Sequence, residues 1–199
     1  DTCRKIAILT AMATGKEVNY EDIYTEGITR ITDVDFQYAE KLGASVKLFG
    51  SSRIDGEQVH AWVAPVMIGR DHVLYSVSDV FNGVMVKGNM VGTTMFYGSG
   101  AGKLPTASAV VADIIAAVRH KNMNIAIGWS EERQTIAPMD TSSYRYFVRV
   151  DGNCEENRNK AESVFGKAEF TVLDDLDEFA FVTEKMTEAA FKEKAAELD

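Results

Sequence analysis

An aspartate and a lysine stand four residues apart at the start of the chain, within a pattern that predicts a helix. On a helix this spacing places Asp1 and Lys5 on one face, about one turn apart. A lysine held near a carboxylate can take up or return a proton, whereas an exposed pair of this kind is an ordinary ion pair worth about 0.3 to 0.5 kcal/mol. Lys5 shares its face with Leu9 and Met12, which we expect to face the core, and a lysine there must be paired or line a cavity. Both interpretations stay open on spacing alone.

The second candidate is the segment YGSGAGKLPTAS, residues 97–108, in which glycines occupy alternate positions before a lysine and a proline. A phosphate-binding P-loop needs a glycine where Tyr97 stands and a serine or threonine where Leu104 stands. The dinucleotide fingerprint needs its third glycine where Lys103 stands, and its acidic residue about 20 positions on is absent near His120. The segment matches neither motif. An apolar, strand-like run precedes it, and its proline suits the first turn of a helix.

The remaining polar residues have simpler interpretations. His60 alternates with Trp62 as in a strand, and no second metal ligand stands at a useful spacing. Cys3 and Cys154 are isolated, so neither a metal site nor a disulfide framework is predicted. Asn82 is either a buried amide that needs partners or half of a turn-forming Asn-Gly pair.

The composition is that of an acidic globular protein. The 199 residues carry a formal charge of -9, and 46% of them are hydrophobic. This charge argues against binding nucleic acid or an anionic membrane, because both need clustered lysine and arginine. No apolar stretch approaches the ~20 residues of a membrane span, and isolated cysteines suit a reducing cytoplasm. The expected partners are small molecules and other copies of the chain.

Periodicity predicts an α+β fold. Apolar residues at helical spacing predict a helix over 1–14 that ends at Gly15, and a capping box at Thr32 opens a second helix that Gly43 closes. β-branched and alternating residues then predict a mixed or antiparallel sheet with helices on one face. Its predicted strands are 44–49, 58–68, 73–77, 83–87 and 90–96, and a helix follows over 107–120.

A domain boundary is predicted after this helix. Residues 122–143 contain Pro138 and a charged run, and they indicate a connector. The remainder has the strand and helix order β-α-β-β-α of a ferredoxin-like unit without its last strand. These elements are predicted over 144–150, 155–165, 168–173, 178–183 and 187–198.

Four stretches of the sequence together resemble a known family. They are DTCRKIAIL, YTEGITRIT, KLGASVKLFG and FYGSGAGKLPTASAVVADI. In this order they resemble homoserine dehydrogenase from residue 1 to about 120, and the last stretch is long and specific. The resemblance implies a Rossmann domain at the start of the protein and an acidic residue that grips the substrate amine, and this sequence contains neither. We therefore expect the chain to begin partway through a longer protein.

The resemblance also implies roles for the two candidate groups. Lys5 would be the proton shuttle at the substrate hydroxyl, and Asp1 its partner in orientation and proton transfer. Residues 1–121 would be the catalytic and dimerisation region, with the helix after Pro105 packed on the Rossmann domain. The residues implied to contact the nicotinamide end of NAD or NADP are Gly98, Gly100, Ala101, Gly102 and Thr106.

The reaction implied is the interconversion of L-homoserine and L-aspartate 4-semialdehyde, in threonine, methionine and isoleucine biosynthesis. The implied assembly is a cytoplasmic homodimer or higher homo-oligomer. Residues 144–199 resemble ACT domains, which sense an end-product amino acid such as threonine, but residues 151–154 replace their usual Pro-Gly turn. We expect the chain to be inactive alone, because nothing in it binds the nucleotide. The alternative is a non-catalytic module that dimerises and binds an amino acid.

Overall fold

The structure is a computed structural model that describes residues 1–126 and 128–198. Within these residues the fold is α+β, with helices and mostly short strands in several small sheets. The helices are α1 (Thr2–Thr14), α2 (Asp33–Lys41), α3 (Lys103–Arg119), α4 (Glu155–Phe165) and α5 (Glu188–Ala196). The strands are β1 (Lys16–Glu17), β2 (Tyr24–Thr25), β3 (Ala44–Asp55), β4 (Gln58–Gly69), β5 (Phe81–Gly88), β6 (Gly92–Ser99), β7 (Ser130–Arg133), β8 (Ser143–Tyr144), β9 (Phe147–Asp151), β10 (Thr171–Val172), β11 (Glu178–Val182) and β12 (Met186–Thr187).

The chain forms two compact units. The first unit contains Asp1–Ile68 and Gly128–Asp199, and the second unit is Gly69–Ile127. The predicted boundaries at residues 121 and 144 separate a catalytic region from an ACT-like one. That division concerns function, and it stays a prediction.

In the first unit, α1 packs against β3. Ala7, Thr10 and Ala11 are the buried residues of this helix. Gly50 on β3 allows the close approach, because a Cβ atom there would stand 3.0 Å from Cγ2 of Thr2. The first turn of α1 is therefore held directly against the sheet.

Local signals place the predicted helix ends correctly. α1 ends at Gly15, which has the left-handed φ of 70° that suits glycine at a helix end. At the start of α2, the backbone N–H of Thr32 donates to the carboxylate of Asp35 at 2.7 Å, as the capping box predicts. Gly43 follows α2 with a φ of 67°.

The carboxyl-terminal part of the first unit is built on an antiparallel sheet in the order β10-β11-β9. One face packs on α4 and α5, with Phe165, Phe179 and Phe181 at its centre. The opposite face packs on α2, where the fully buried Tyr38 lies against Phe147 with ring centroids 5.8 Å apart. This sheet is thus covered on both faces.

The predicted strand over 73–77 is wrong, and the predicted connector is more regular than expected. Residues 72–77 form turns instead, with N–H groups of Tyr75 and Val77 donating to carbonyls three residues earlier. Leu74 and Val77 lie against Gly83, so their apolar character serves packing rather than a sheet. In the segment 122–143, β7 pairs in parallel with β1.

The second unit contains a hairpin and a helix. β5 and β6 pair antiparallel along their whole length, from Phe81 opposite Ser99 to Gly88 opposite Gly92. α3 follows, and none of its residues is buried. Its exposed apolar side chains are Leu104, Val110, Val111, Ile114, Ile115 and Val118. None of the helices in the described residues is long and apolar enough to cross a membrane.

Candidate active site

The first part of the candidate site is the first turn of α1. Asp1 is the N-cap residue of this helix, and the backbone N–H of Lys5 donates to the Asp1 carbonyl at 3.1 Å. Both side chains are exposed, and within the described residues no ion pair joins them. Asp1 and Lys5 therefore share one helical turn, as the spacing predicts, and both side chains face solvent.

The expectation that Lys5 lies on a core-facing stripe is wrong. Ile8, Leu9 and Met12, which share its face, are 51%, 40% and 60% exposed. The face of α1 that meets the sheet instead carries Ala7, which packs with Ala61 and Val63 of β4, and Ile6, which lies against Gly50 of β3. Ile8, Leu9 and Met12 lie on the other side of the helix. We call Lys5, Ile8, Leu9 and Met12 the outward face of α1.

Beside this turn lies a surface depression of about 440 Å³. The guanidinium of Arg4 stands over the Tyr20 ring, 4.9 Å from its centroid, and Sγ of Cys3 donates to the Tyr20 carbonyl at 3.2 Å. The residues that line the depression are Asp1, Cys3, Arg4, Tyr20, Glu21, Ile23 and Thr25. The depression thus offers a cation between two carboxylates. Sequence reasoning missed Arg4, although its position three residues after Asp1 was a usable signal.

The second part is the glycine segment, residues 98–102, in the second unit. A different physical feature explains the glycine at each of its three glycine positions. At Gly98 a Cβ atom would meet nothing within 4 Å, and its φ is not in the left-handed range. At Gly100 a Cβ atom would stand 1.9 Å from Nδ2 of Asn82, so a side chain there would displace this carboxamide. Gly102 has a φ of 116°, which only glycine adopts readily.

The start of α3 follows this segment directly. The hydroxyl of Thr106 donates to the Gly102 carbonyl at 2.8 Å, and the Thr106 N–H donates to the same carbonyl at 3.2 Å. Pro105 lies in the first turn of the helix, as predicted. Ala101 lies in the exposed bend between β6 and α3. Of the residues implied to contact a cofactor, Gly98 therefore fits best, because bare backbone with open space above it can receive a flat ring.

Asn82 is neither a buried amide nor part of a turn, the two alternatives that the sequence offers. It lies inside β5, opposite Gly98 of β6, and its side chain is exposed. The Asn-Gly turn is therefore wrong, and so is the buried amide. Pairing the strands β5 and β6 residue by residue would have placed Asn82 opposite the glycine segment.

A third polar cluster lies within the first unit and joins α2 to the C-terminal sheet. Arg149 binds Glu178 through two nitrogens, at 3.1 and 2.8 Å, and Asp35 at 2.9 Å. Hydrogen bonds with Glu178 raise the pKa of Arg149. Burial alone would raise the pKa of Asp35, but hydrogen bonds from Thr32 and Arg149 outweigh burial and lower that pKa. This cluster is structural, since both carboxylates are already paired.

Comparison with known proteins identifies the family. The homoserine dehydrogenase family model matches residues 1–115, which is more than half of the chain. The chain belongs to the homoserine dehydrogenase family. A homoserine dehydrogenase of Bacillus subtilis is 33% identical over 208 aligned positions, which cover 97% of this chain and 48% of that protein. One from Neisseria gonorrhoeae is 40% identical over 163 positions, covering 78% of this chain and 38% of that protein.

The fold supports the same assignment. The crystal structure of a homoserine dehydrogenase from Thiobacillus denitrificans superposes with a TM-score of 0.81 at 28% identity, over 98% of this chain and 48% of that one. The chain thus spans less than half the length of these homoserine dehydrogenases. Residues 1–115 include the first turn of α1 and the glycine segment, so the family match covers both candidate regions, each within its own unit. Within the described residues, no cluster of three or more His, Cys, Asp or Glu side chains is arranged to hold a metal ion.

Proposed function

We propose that this chain is the catalytic and dimerisation part of a homoserine dehydrogenase. It would interconvert L-homoserine and L-aspartate 4-semialdehyde with NAD or NADP, in the cytoplasm, on the route to threonine, methionine and isoleucine. The observation that carries the proposal is the first turn of α1, where Asp1 and Lys5 both lie exposed inside the residues that match the family. The nucleotide would be held mainly by the part of the relatives that this chain does not match.

The chemistry proposed for these side chains is proton transfer. A bound nicotinamide supplies the hydride acceptor for the carbinol carbon of homoserine. The neutral amine of Lys5 takes the proton of the substrate hydroxyl as the C–H bond breaks, and the carboxylate of Asp1 orients the resulting ammonium group. In the reverse direction, the Lys5 ammonium returns the proton to the aldehyde oxygen. An exposed lysine suits this role, because it must reach a substrate rather than a partner in its own unit.

Exposed apolar surfaces support contacts with further protein. Large exposed apolar patches mark interaction surfaces, and a helix that is apolar on most sides is normally buried. α3 exposes apolar side chains along its length, including Leu104 and Val118 at 79% and 68%. We propose that the nucleotide-binding region of the enzyme covers α3. A second copy of the chain would cover the β5–β6 hairpin, which gives the homodimer.

The C-terminal elements support an ACT-like unit. β9, α4, β10, β11 and α5 follow one another in the predicted order. At the turn after β9, however, the N–H of Gly152 donates to the main-chain carbonyl of Asp177 at 2.7 Å, and the N–H of Asn153 donates to the Asp177 carboxylate at 2.8 Å. A threonine carboxylate would have to displace the Asp177 side chain to bind the Asn153 N–H. Calorimetry tests this: threonine should give no heat with the wild-type chain, and measurable binding to Asp177→Ala would identify this turn as the effector position.

The activity is tested in a chimera. The N-terminal region of the Bacillus subtilis relative, up to the residue aligned with Asp1, is joined to this chain, and homoserine-dependent reduction of NAD and NADP is measured. Lys5→Ala should lose most of kcat while KM for homoserine changes less, because the proton transfer is needed only in the reaction step. Lys167→Ala, at an exposed lysine in the first unit, should keep the wild-type rate.

The outcomes separate the two functions. A folded wild-type chimera without nucleotide-dependent activity would reject the enzyme and favour the amino-acid-binding and dimerisation module. A wild-type rate in Lys5→Ala would show that this lysine is a surface charge without a role in proton transfer. Size-exclusion chromatography of the same samples shows whether the chain dimerises in either case.

A further inference from the structure

The side chain of Asn82 lies over the glycine segment. Its strand partner is Gly98, and Gly100 stands two residues further along, on the same face. Gly100 has no side chain, so the carboxamide lies directly over its backbone, whereas a Cβ atom on Gly98 would meet nothing within 4 Å. A Cβ atom on Gly100 would stand 1.9 Å from Nδ2 and 2.4 Å from Cγ of Asn82. Asn82 therefore occupies the volume that any other residue at position 100 would need.

The same carboxamide is tied to the backbone that holds Gly100. The N–H of Gly100 donates to the Val80 carbonyl at 2.9 Å, and Nδ2 of Asn82 donates to the same oxygen at 3.4 Å. One donor lies in β5 and the other directly follows β6, and the two converge on one acceptor. The start of β5 thus fixes where the glycine segment leaves the hairpin.

We infer that Asn82 is a positioning residue of the proposed nucleotide site. It holds the backbone at Gly100, and this leaves the bare backbone of Gly98 as the surface that receives the nicotinamide ring. This inference rests on the proposed function. It assigns different reasons to two glycines of one motif: a side chain at position 100 would displace the Asn82 carboxamide, whereas position 98 stays open for a group that approaches from outside the second unit.

A double-mutant cycle tests the inference in the chimera. Asn82→Ala should raise KM for the nucleotide at least fivefold and leave KM for homoserine within twofold, since only the glycine segment is loosened. Gly100→Ala should raise KM for the nucleotide more than tenfold. Because Asn82→Ala removes the clashing carboxamide, the double variant should be no worse than Asn82→Ala alone. Gly98→Ala should also impair nucleotide binding, but adding Asn82→Ala should not restore it.

Thermal unfolding of the 199-residue chain provides a readout that does not depend on activity. Gly100→Ala should lower Tm by several degrees, and this loss should shrink markedly when Asn82→Ala is added. Equal Tm losses with and without Asn82 would overturn the inference, and so would an unchanged nucleotide KM in active Asn82→Ala enzyme. An inactive wild-type chimera would instead contradict the proposed function, and the Tm cycle would still decide whether the carboxamide fixes Gly100.

Discussion

Removing Arg149 should strongly destabilise the first unit. This side chain bridges Asp35, in the capping box of α2, and Glu178 on β11. Arg149→Ala leaves both carboxylates without a cation, and their side chains are only 13% and 10% exposed. It also removes an ionic link between α2 and the face of the sheet on which α2 packs.

The expected loss is about 3 kcal/mol in the free energy of unfolding. Breaking a buried ion pair from one side costs roughly 3 to 5 kcal/mol, because the remaining charge is buried and unpaired. The side chain of Arg149 is 29% exposed, so water can partly replace it, and the lower end of that range applies. Arg149→Lys keeps the charge but not the planar fork that binds Glu178 twice. It should cost about 1.5 kcal/mol, the value of one charge-assisted hydrogen bond.

Urea unfolding followed by tryptophan fluorescence measures this loss, because Trp62 and Trp129 both belong to the first unit. The matched control is Lys16→Ala, which removes an ion pair with Glu132 whose side chains are 39% and 65% exposed. That variant should lose less than about 1 kcal/mol. If Arg149→Ala loses no more than Lys16→Ala, the bridge between α2 and β11 does not stabilise the fold and the reasoning is refuted.

Three further predictions concern the same unit. Asp35→Asn should lower stability at pH 7, but its difference from wild type should fade from about pH 4 downward. Because folding lowers the pKa of Asp35, its carboxylate stabilises the fold fully above the unfolded pKa of about 3.9, and this stabilisation is lost as pH falls through the folded-state pKa. Tyr146→Phe should be neutral or stabilise by up to about 1 kcal/mol in urea titrations, because its buried hydroxyl has no hydrogen-bond partner among the described residues. Gly15→Ala should cost about 1 kcal/mol at its φ of 70°, whereas Gly27→Ala, at −83°, should change stability by less than about 0.5 kcal/mol.

Sequence reasoning succeeded where a structure depends on nearby residues. The capping box at Thr32 and the helix end at Gly15 need only a few consecutive residues, and both are confirmed. Sequence reasoning failed where packing or pairing with a distant element sets the local conformation. The apolar residues 73–77 look like a strand, but they form turns because Gly83 offers them a surface to pack on. Asn82 beside Gly83 looks like a turn, but strand pairing with β6 holds it extended.

The orientation of α1 shows the same limit at the site itself. Hydrophobicity predicts that Leu9 and Met12 face the core, yet Ala7 and Ala11 are the buried apolar positions of the helix, and Ile6 lies against Gly50 of β3. From the sequence alone, either of two apolar faces of α1 could meet the sheet. Gly50 favours the observed face, because its missing side chain leaves room for Thr2 and Ile6. Because this face of α1 meets the sheet, Lys5 lies on the exposed side of the helix. An acid–base group must lie there if another part of the enzyme holds its substrate.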